Sequence, residues 1–224
     1  MFECFPKGTT FPKGLTVKTN DKSIEELPEG EGTAFSIDDE TTTEIDDAFS
    51  LVALPNGHMR VGIHIAAPSL GMTPESPLGQ VARARLSTVY MPGNKITMLP
   101  AEFIEQFSLI EGRQCPAVSL YLEVNAEDFS IVGVHTAVDR ITVAANLRHS
   151  YTRELDRVFS AGEALPQTPY ASELHWMWSF AQALQTARGG AKSNDRPDYS
   201  FDVIRSPDGT ERIEITRRSR GTPI

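Results

Sequence analysis

Apolar and polar positions alternate or recur along most of the chain with a readable period. AFSI (34–37), AFSLVAL (48–54) and HMRVGIHIA (58–66) alternate as short strands, and Pro55-Asn56-Gly57 between the last two is a strong hairpin signal. From Pro77 to Tyr90, Val81, Ala82, Leu86 and Val89 recur at helical spacing, with Arg83 and Arg85 on the polar sides, and Pro92-Gly93-Asn94 breaks the pattern. A second helix is expected from Pro100 to Leu109, with proline suited to the first turn. CPAVSLYLEV (115–124) alternates as a strand and FSIVGVHTAVDRITV (129–143) as its extended neighbour. Asn146–Phe159 and Ser172–Arg188 read as amphipathic helices, the second ended by Gly189-Gly190. FDVIRS, a Pro207-Asp208-Gly209 turn and ERIEITR then form a hairpin. Trp176 and Trp178 lie two apart on a helix and so face different sides, one toward the core and the other toward a partner or a further segment. Strands and helices mix without strict βαβ alternation and no repeat is present, which predicts an α+β fold with a mixed sheet and flanking helices.

Composition narrows the class of protein. The 224 residues are 40% hydrophobic and 23% charged, as in ordinary globular domains. No apolar run approaches the ~18 residues that cross a bilayer. The N-terminus lacks a basic start followed by an apolar stretch, and two cysteines, Cys4 and Cys115, are too few for a disulfide scaffold. The expectation is a cytoplasmic protein in a reducing compartment. A net charge of −9 argues against a surface that binds polyanions all over. The charge is uneven: residues 1–50 hold 12 acidic against 4 basic side chains, whereas 188–224 hold 8 basic against 6 acidic. Residues 1–32, rich in proline, glycine and glutamate, read as an extended lead-in.

The richest chemistry is the run Ser36 to Ala48, where Asp38, Asp39, Glu40, Glu44, Asp46 and Asp47 put six carboxylates in ten residues between two strands. By composition alone this reads first as a solvated acidic loop. The alternative is a hard-cation site, because crowded carboxylates repel unless a cation intervenes and Mg²⁺ prefers their oxygens. An EF-hand register from Asp38 fails, with Thr43 at the glycine position and Phe49 at the glutamate position. The five histidines show no HxxH or HExxH spacing, and GxGxxG, GxxxxGK[ST] and GxSxG are absent. Cys115, inside a strand, reads as a small core residue. Arg212, Arg217, Arg218 and Arg220 read as a charged strand edge or as phosphate contacts.

SIDDETTTEIDDAFSL (36–51) resembles the signature of the ribonuclease II / RNase R family, the RNB catalytic domain. VGIHIAAPS (61–69), RLSTVYMPGNKITMLP (85–100), FSLIEGRQCPAVSLYLEV (107–124) and NDRPDYSFDV (194–203) resemble further blocks of that family, in family order. The resemblance implies a 3′→5′ exoribonuclease that hydrolyses single-stranded RNA to nucleoside 5′-monophosphates with Mg²⁺ or Mn²⁺. It implies Asp38, Asp46 and Asp47 as metal ligands and Glu44 as a fourth member of the catalytic set. Tyr90 and Tyr151 match family aromatics that contact RNA, and stacking suits a sequence-blind enzyme. Glu44 stands where many members have aspartate, so its carboxylate reaches one methylene further. Residues 33–224 are expected to be the first part of an RNB domain, a monomer, with the family's later catalytic arginine and glutamate unplaced and activity impaired without them. The competing expectations are an RNA-binding module of this fold without chemistry, and a structural metal-binding module.

Overall fold

Strand-forming residues dominate the first two thirds of the chain, and the strands close on themselves. The structure, a computed structural model, describes residues 9–13, 15, 24–40, 42–91, 94–189 and 198–218. β1 (Glu29–Asp38), β2 (Asp47–Ala53), β3 (His58–Ala66), β6 (Gln114–Asn125) and β7 (Ile131–Arg148) form a closed barrel in the order β1-β2-β3-β6-β7. Neighbours are antiparallel except β1 and β7, which run parallel, with Ser36 opposite Asn146 and Asp38 opposite Arg148. The sheet is mixed as expected. Its closure comes from β7, whose first part pairs with β6 and whose last residues reach β1; a closed sheet leaves no unpaired edge. Gly57 takes φ 81° in the β2–β3 turn, as the Asn-Gly signal predicts.

The barrel interior has two halves. Toward one mouth, Ala34, Ala48, Cys115, Ala117, Ile141 and Val143 pack under Ile45 and Leu109. Toward the other end the interior is polar. Ser119 donates to Asp139 Oδ1 at 2.6 Å and the Tyr121 hydroxyl donates to Asp139 Oδ2 at 2.6 Å. With its hydrogen committed to Asp139, Ser119 can only accept from His64 Nδ1, 2.8 Å away, which leaves Nε2 to share the Ser50 hydroxyl hydrogen (3.0 Å) with the Glu31 carbonyl (3.3 Å). All five side chains are buried.

Burial pushes the His64 pKa down to about 4, with the charge of Asp139 opposing the shift. A folded pKa below the unfolded value of ~6.5 means that the unfolded chain binds the extra proton, so this group's stability is complete above about pH 7 and is lost as pH falls. About 3 kcal/mol should disappear between roughly pH 7 and pH 4 through His64 alone. Urea unfolding of the wild type and His64→Gln at both pH values checks this: the substitution should flatten that part of the slope.

Helices cover the outside. α3 (His149–Ala161) and α4 (Ala171–Ala187) pack on Phe35 and Phe49 through Leu155, Phe159 and Leu174, and the far half of α4 packs Phe180 and Leu184 on Val61, Leu122 and Val124. Both tryptophans are used inside the chain: Trp176 lies against Phe129 and Phe180, and Trp178 against Phe159. Each is half-buried, so part of each side chain remains open to solvent. α1 (Pro77–Arg85) and α2 (Ala101–Phe107) form a separate cluster around Leu78, Leu99, Phe103 and Phe107. β8 (Asp198–Arg205) and β9 (Glu211–Arg218) pair as the expected hairpin. Among the described residues no helix is long and apolar enough to cross a membrane.

Four local expectations change. The helix expected to reach Tyr90 ends at Arg85, because Leu86 turns left-handed (φ 66°), and Val89–Met91 becomes β4, paired with β5 (Asn94–Ile96). Arg85 is not on a polar side: it is 5% exposed, donates to the carbonyls of Thr97, Thr9 and Thr10, and lies over the Phe11 ring. Asn146–Arg148 belong to β7 rather than to a helix, because pairing with Ser36–Asp38 satisfies their backbone. β1 begins at Glu29, inside the segment read as lead-in, and Cys4 and Arg220 lie outside the described residues.

Candidate active site

The six carboxylates sit at one mouth of the barrel, on the end of β1, the start of β2 and the loop between them. The loop is fastened at both sides. Arg148 donates to the carbonyls of Asp39 (2.9 Å) and Thr42 (3.2 Å). Near β2 the chain returns to the barrel through Leu109 N to Ile45 O and Ala66 N to Asp46 O, both 2.8 Å, with Ile45 inserted as an interior plug.

Each acid has a different environment. Asp38 accepts from Ser36 Oγ at 2.6 Å, and Ser36 accepts from Asn146 Nδ2 at 2.9 Å, which also donates to Leu109 O. Glu40 accepts the Ser150 backbone N–H at 2.8 Å in the first turn of α3, and this bonding to Ser150 holds its pKa low. It caps a helix. Asp39 lies 3.9 Å from His149 Nε2. Glu44 accepts from Lys95 Nζ at 2.7 Å and from the Tyr90 hydroxyl at 3.4 Å. Asp46 and Asp47 are exposed. The Asp47 pKa is raised, first by partial desolvation and then by the negative charges of Asp46 and Asp38, which places Asp47 within electrostatic reach of both.

A cleft of about 750 Å³ opens here, lined by Asp38, Asp39, Glu44, Asp46, Tyr90, Lys95 and His149, among others. Asp47 is not part of the lining. Tyr90, on β4, lies over it with 72% exposure. Tyr151 is in the first turn of α3, half-buried against the α3–α4 cluster, its hydroxyl donating to Pro169 O at 2.6 Å. It does not line the cleft. Lys95, Ser36, Asn146 and His149 were not singled out in the sequence. A β4–β5 hairpin would have placed Lys95 opposite Tyr90, but the helical period through Val89 hides that hairpin. Arg205 and Arg212 pair with Glu211 and Glu214 on the exposed hairpin, away from any cluster.

The donor set of Asp38, Asp46 and Asp47 is all carboxylate oxygen, the chemistry that hard divalent cations take. Their mutual repulsion at Asp47 is the electrostatic condition that a cation relieves. As placed, and among the described residues, no three His, Cys, Asp or Glu side chains form a group that could hold a metal ion.

The RNB domain family matches residues 26–223. This chain belongs to the RNB domain family. Among relatives of this RNB chain, the exoribonuclease 2 of Vibrio cholerae serotype O1 (strain M66-2) is 30% identical over 171 residues, covering 75% of this chain and 25% of that protein. The RNB chain thus spans about a quarter of the length of the curated relatives it matches first. Mycoplasma genitalium RNase R, solved with ribose methylated single-stranded RNA, superposes with a TM-score of 0.69 at 14% identity, over 93% of this chain and 34% of that one. Yeast Ssd1, a pseudonuclease, superposes with a TM-score of 0.64 at 20% identity, over 81% of this chain and 22% of that one. At these identities the two structures show a shared fold.

Proposed function

We propose that this RNB chain carries the acidic part of a metal-dependent exoribonuclease site, one that shortens single-stranded RNA from its 3′ end and releases nucleoside 5′-monophosphates. The observation that carries the reading is the cleft at the barrel mouth, where Asp38, Asp46 and Tyr90 share one surface and Asp47 feels both aspartates. Asp38, Asp46 and Asp47 would hold Mg²⁺ or Mn²⁺. Such an ion, when bound, polarises the scissile phosphate and lowers the pKa of water. Ser36 and Asn146 keep the Asp38 carboxylate in one orientation, as outer hydrogen bonds do for ligating carboxylates. Tyr90 offers an open ring face to a base of any identity. Tyr151, at the start of α3, is proposed as a second RNA contact.

A second reading, an RNA-binding module without chemistry, is favoured by two observations. Lys95 already neutralises Glu44, and among the described residues no three carboxylates converge as placed. The pseudonuclease Ssd1 shows that the fold occurs without nuclease activity. Incubating the chain with 5′-labelled single-stranded RNA separates the two. A ladder that shortens from the 3′ end in Mg²⁺ or Mn²⁺ and stops in EDTA supports the enzyme. RNA bound equally in Mg²⁺ and EDTA, with no shortening, supports the binding module.

A further inference from the structure

Both carboxylate oxygens of Glu44 are engaged. Lys95 Nζ donates to Oε1 at 2.7 Å and to the neighbouring Thr43 hydroxyl at 3.1 Å, while the Tyr90 hydroxyl donates to Oε2 at 3.4 Å. Tyr90 and Lys95 are direct partners across the β4–β5 hairpin, so their side chains leave on the same face. Each of these strands has three residues. A two-stranded hairpin of that size is not stable alone in water and takes its position from what it touches. The Tyr90 ring is meanwhile 72% exposed. Its hydroxyl is tethered and its face is free.

We propose that Glu44 is a positioning residue: it latches the β4–β5 hairpin to the acidic loop through Lys95 and Tyr90, and so fixes the Tyr90 ring over the cleft as a stacking platform for an RNA base. Glu44 then stands outside the metal-ligand set, which stays with Asp38, Asp46 and Asp47. The inference rests on the RNA-processing reading above and gives this site its substrate-side device. A ring already held in place loses less freedom when a base stacks on it, and pre-organisation of this kind appears as affinity. The longer reach of glutamate has a use here, since the carboxylate must span from the loop to a lysine on the hairpin.

A charge swap tests the latch in the full chain. Binding is read by fluorescence anisotropy on labelled single-stranded RNA in EDTA, so that no metal contributes, and metal affinity by calorimetric titration with Mn²⁺. Glu44→Lys and Lys95→Glu should each weaken RNA binding about tenfold, the scale of one lost stacking contact. The double variant, Glu44→Lys with Lys95→Glu, restores the pair with reversed polarity and should return to within about threefold of wild type while keeping its Mn²⁺ affinity. A double variant that stays as weak as the single ones, or that loses Mn²⁺ as Asp47→Asn is expected to, overturns the latch. If the wild-type chain binds no RNA, the functional reading fails, and hydrogen exchange of the amides from Val89 to Ile96 still judges the latch. Protection lost in both single variants and regained in the double supports it; equal protection in all four proteins overturns it.

Discussion

Asp47→Asn is expected to reduce metal-dependent cleavage of single-stranded RNA by at least about a hundredfold, the scale on which lost ligand support acts in metal sites. The argument is electrostatic. Asp47 opens β2 at the barrel mouth, and its carboxyl sits close enough to Asp46 and Asp38 for both charges to raise its pKa. A divalent cation gains from all three charges together; an amide of the same shape keeps the volume and removes one of them. The same change should leave the fold intact. Asp47 is exposed and its loss relieves repulsion, so the melting temperature should hold or rise slightly. Calorimetry with Mn²⁺ and a cleavage assay on one preparation check both halves. Wild-type cleavage by Asp47→Asn, at unchanged Mn²⁺ affinity, would remove the acidic mouth from consideration as the active site.

Gly62→Ala should be the most destabilising single-methyl addition in the barrel wall, at about 4 kcal/mol, combining overpacking with a broken buried hydrogen bond. Gly62 lies on β3 opposite Ser50 and Tyr121, beside the polar half of the interior. A Cβ there would clash with Ser50 Oγ and meet His64 Nε2 at 2.6 Å. Those two atoms hydrogen-bond each other, and His64 is bonded to Ser119 on its other nitrogen, so moving either strains or breaks a buried hydrogen bond. A loss of this size corresponds to a drop of roughly 10 °C in melting temperature for a chain of this length. Thermal unfolding at pH 7 measures it. A shift under about 2 °C would mean that the interior network is looser than its geometry indicates.

Much of this was legible in the residues before any fold was known. Period-two alternation marked β2, β3, β6 and the body of β7, because each strand buries one side in the barrel. Asn56-Gly57 and Asp208-Gly209 marked their turns, because the glycines take positive φ. The acidic run stood out by composition, and the ordered blocks around it pointed to the family that residues 26–223 match. Errors collected where a local pattern and a long-range partner disagreed. Val89 continues the helical spacing of Val81, Ala82 and Leu86, yet β5 takes Val89–Met91 as a strand. Asn146 begins a good helical period, yet Ser36 and Leu109, far away in sequence, bind its side chain.

The sequence by itself therefore determined most of the strands and helices, the presence of an acidic centre and the family to which it belongs, since these depend on local periodicity and on residue chemistry carried in a fixed order. Only the tertiary structure decided what each acid does. Asp38 is oriented by Ser36, Glu40 caps α3, Glu44 grips the hairpin, and Asp46 and Asp47 stay open and coupled. These roles depend on which groups the barrel brings within about 3 Å of each carboxylate, and those groups come from strands and loops up to 110 positions away in the chain. Sequence spacing along one loop is identical for a ligand, a cap and a latch; the partner that arrives from elsewhere makes them different.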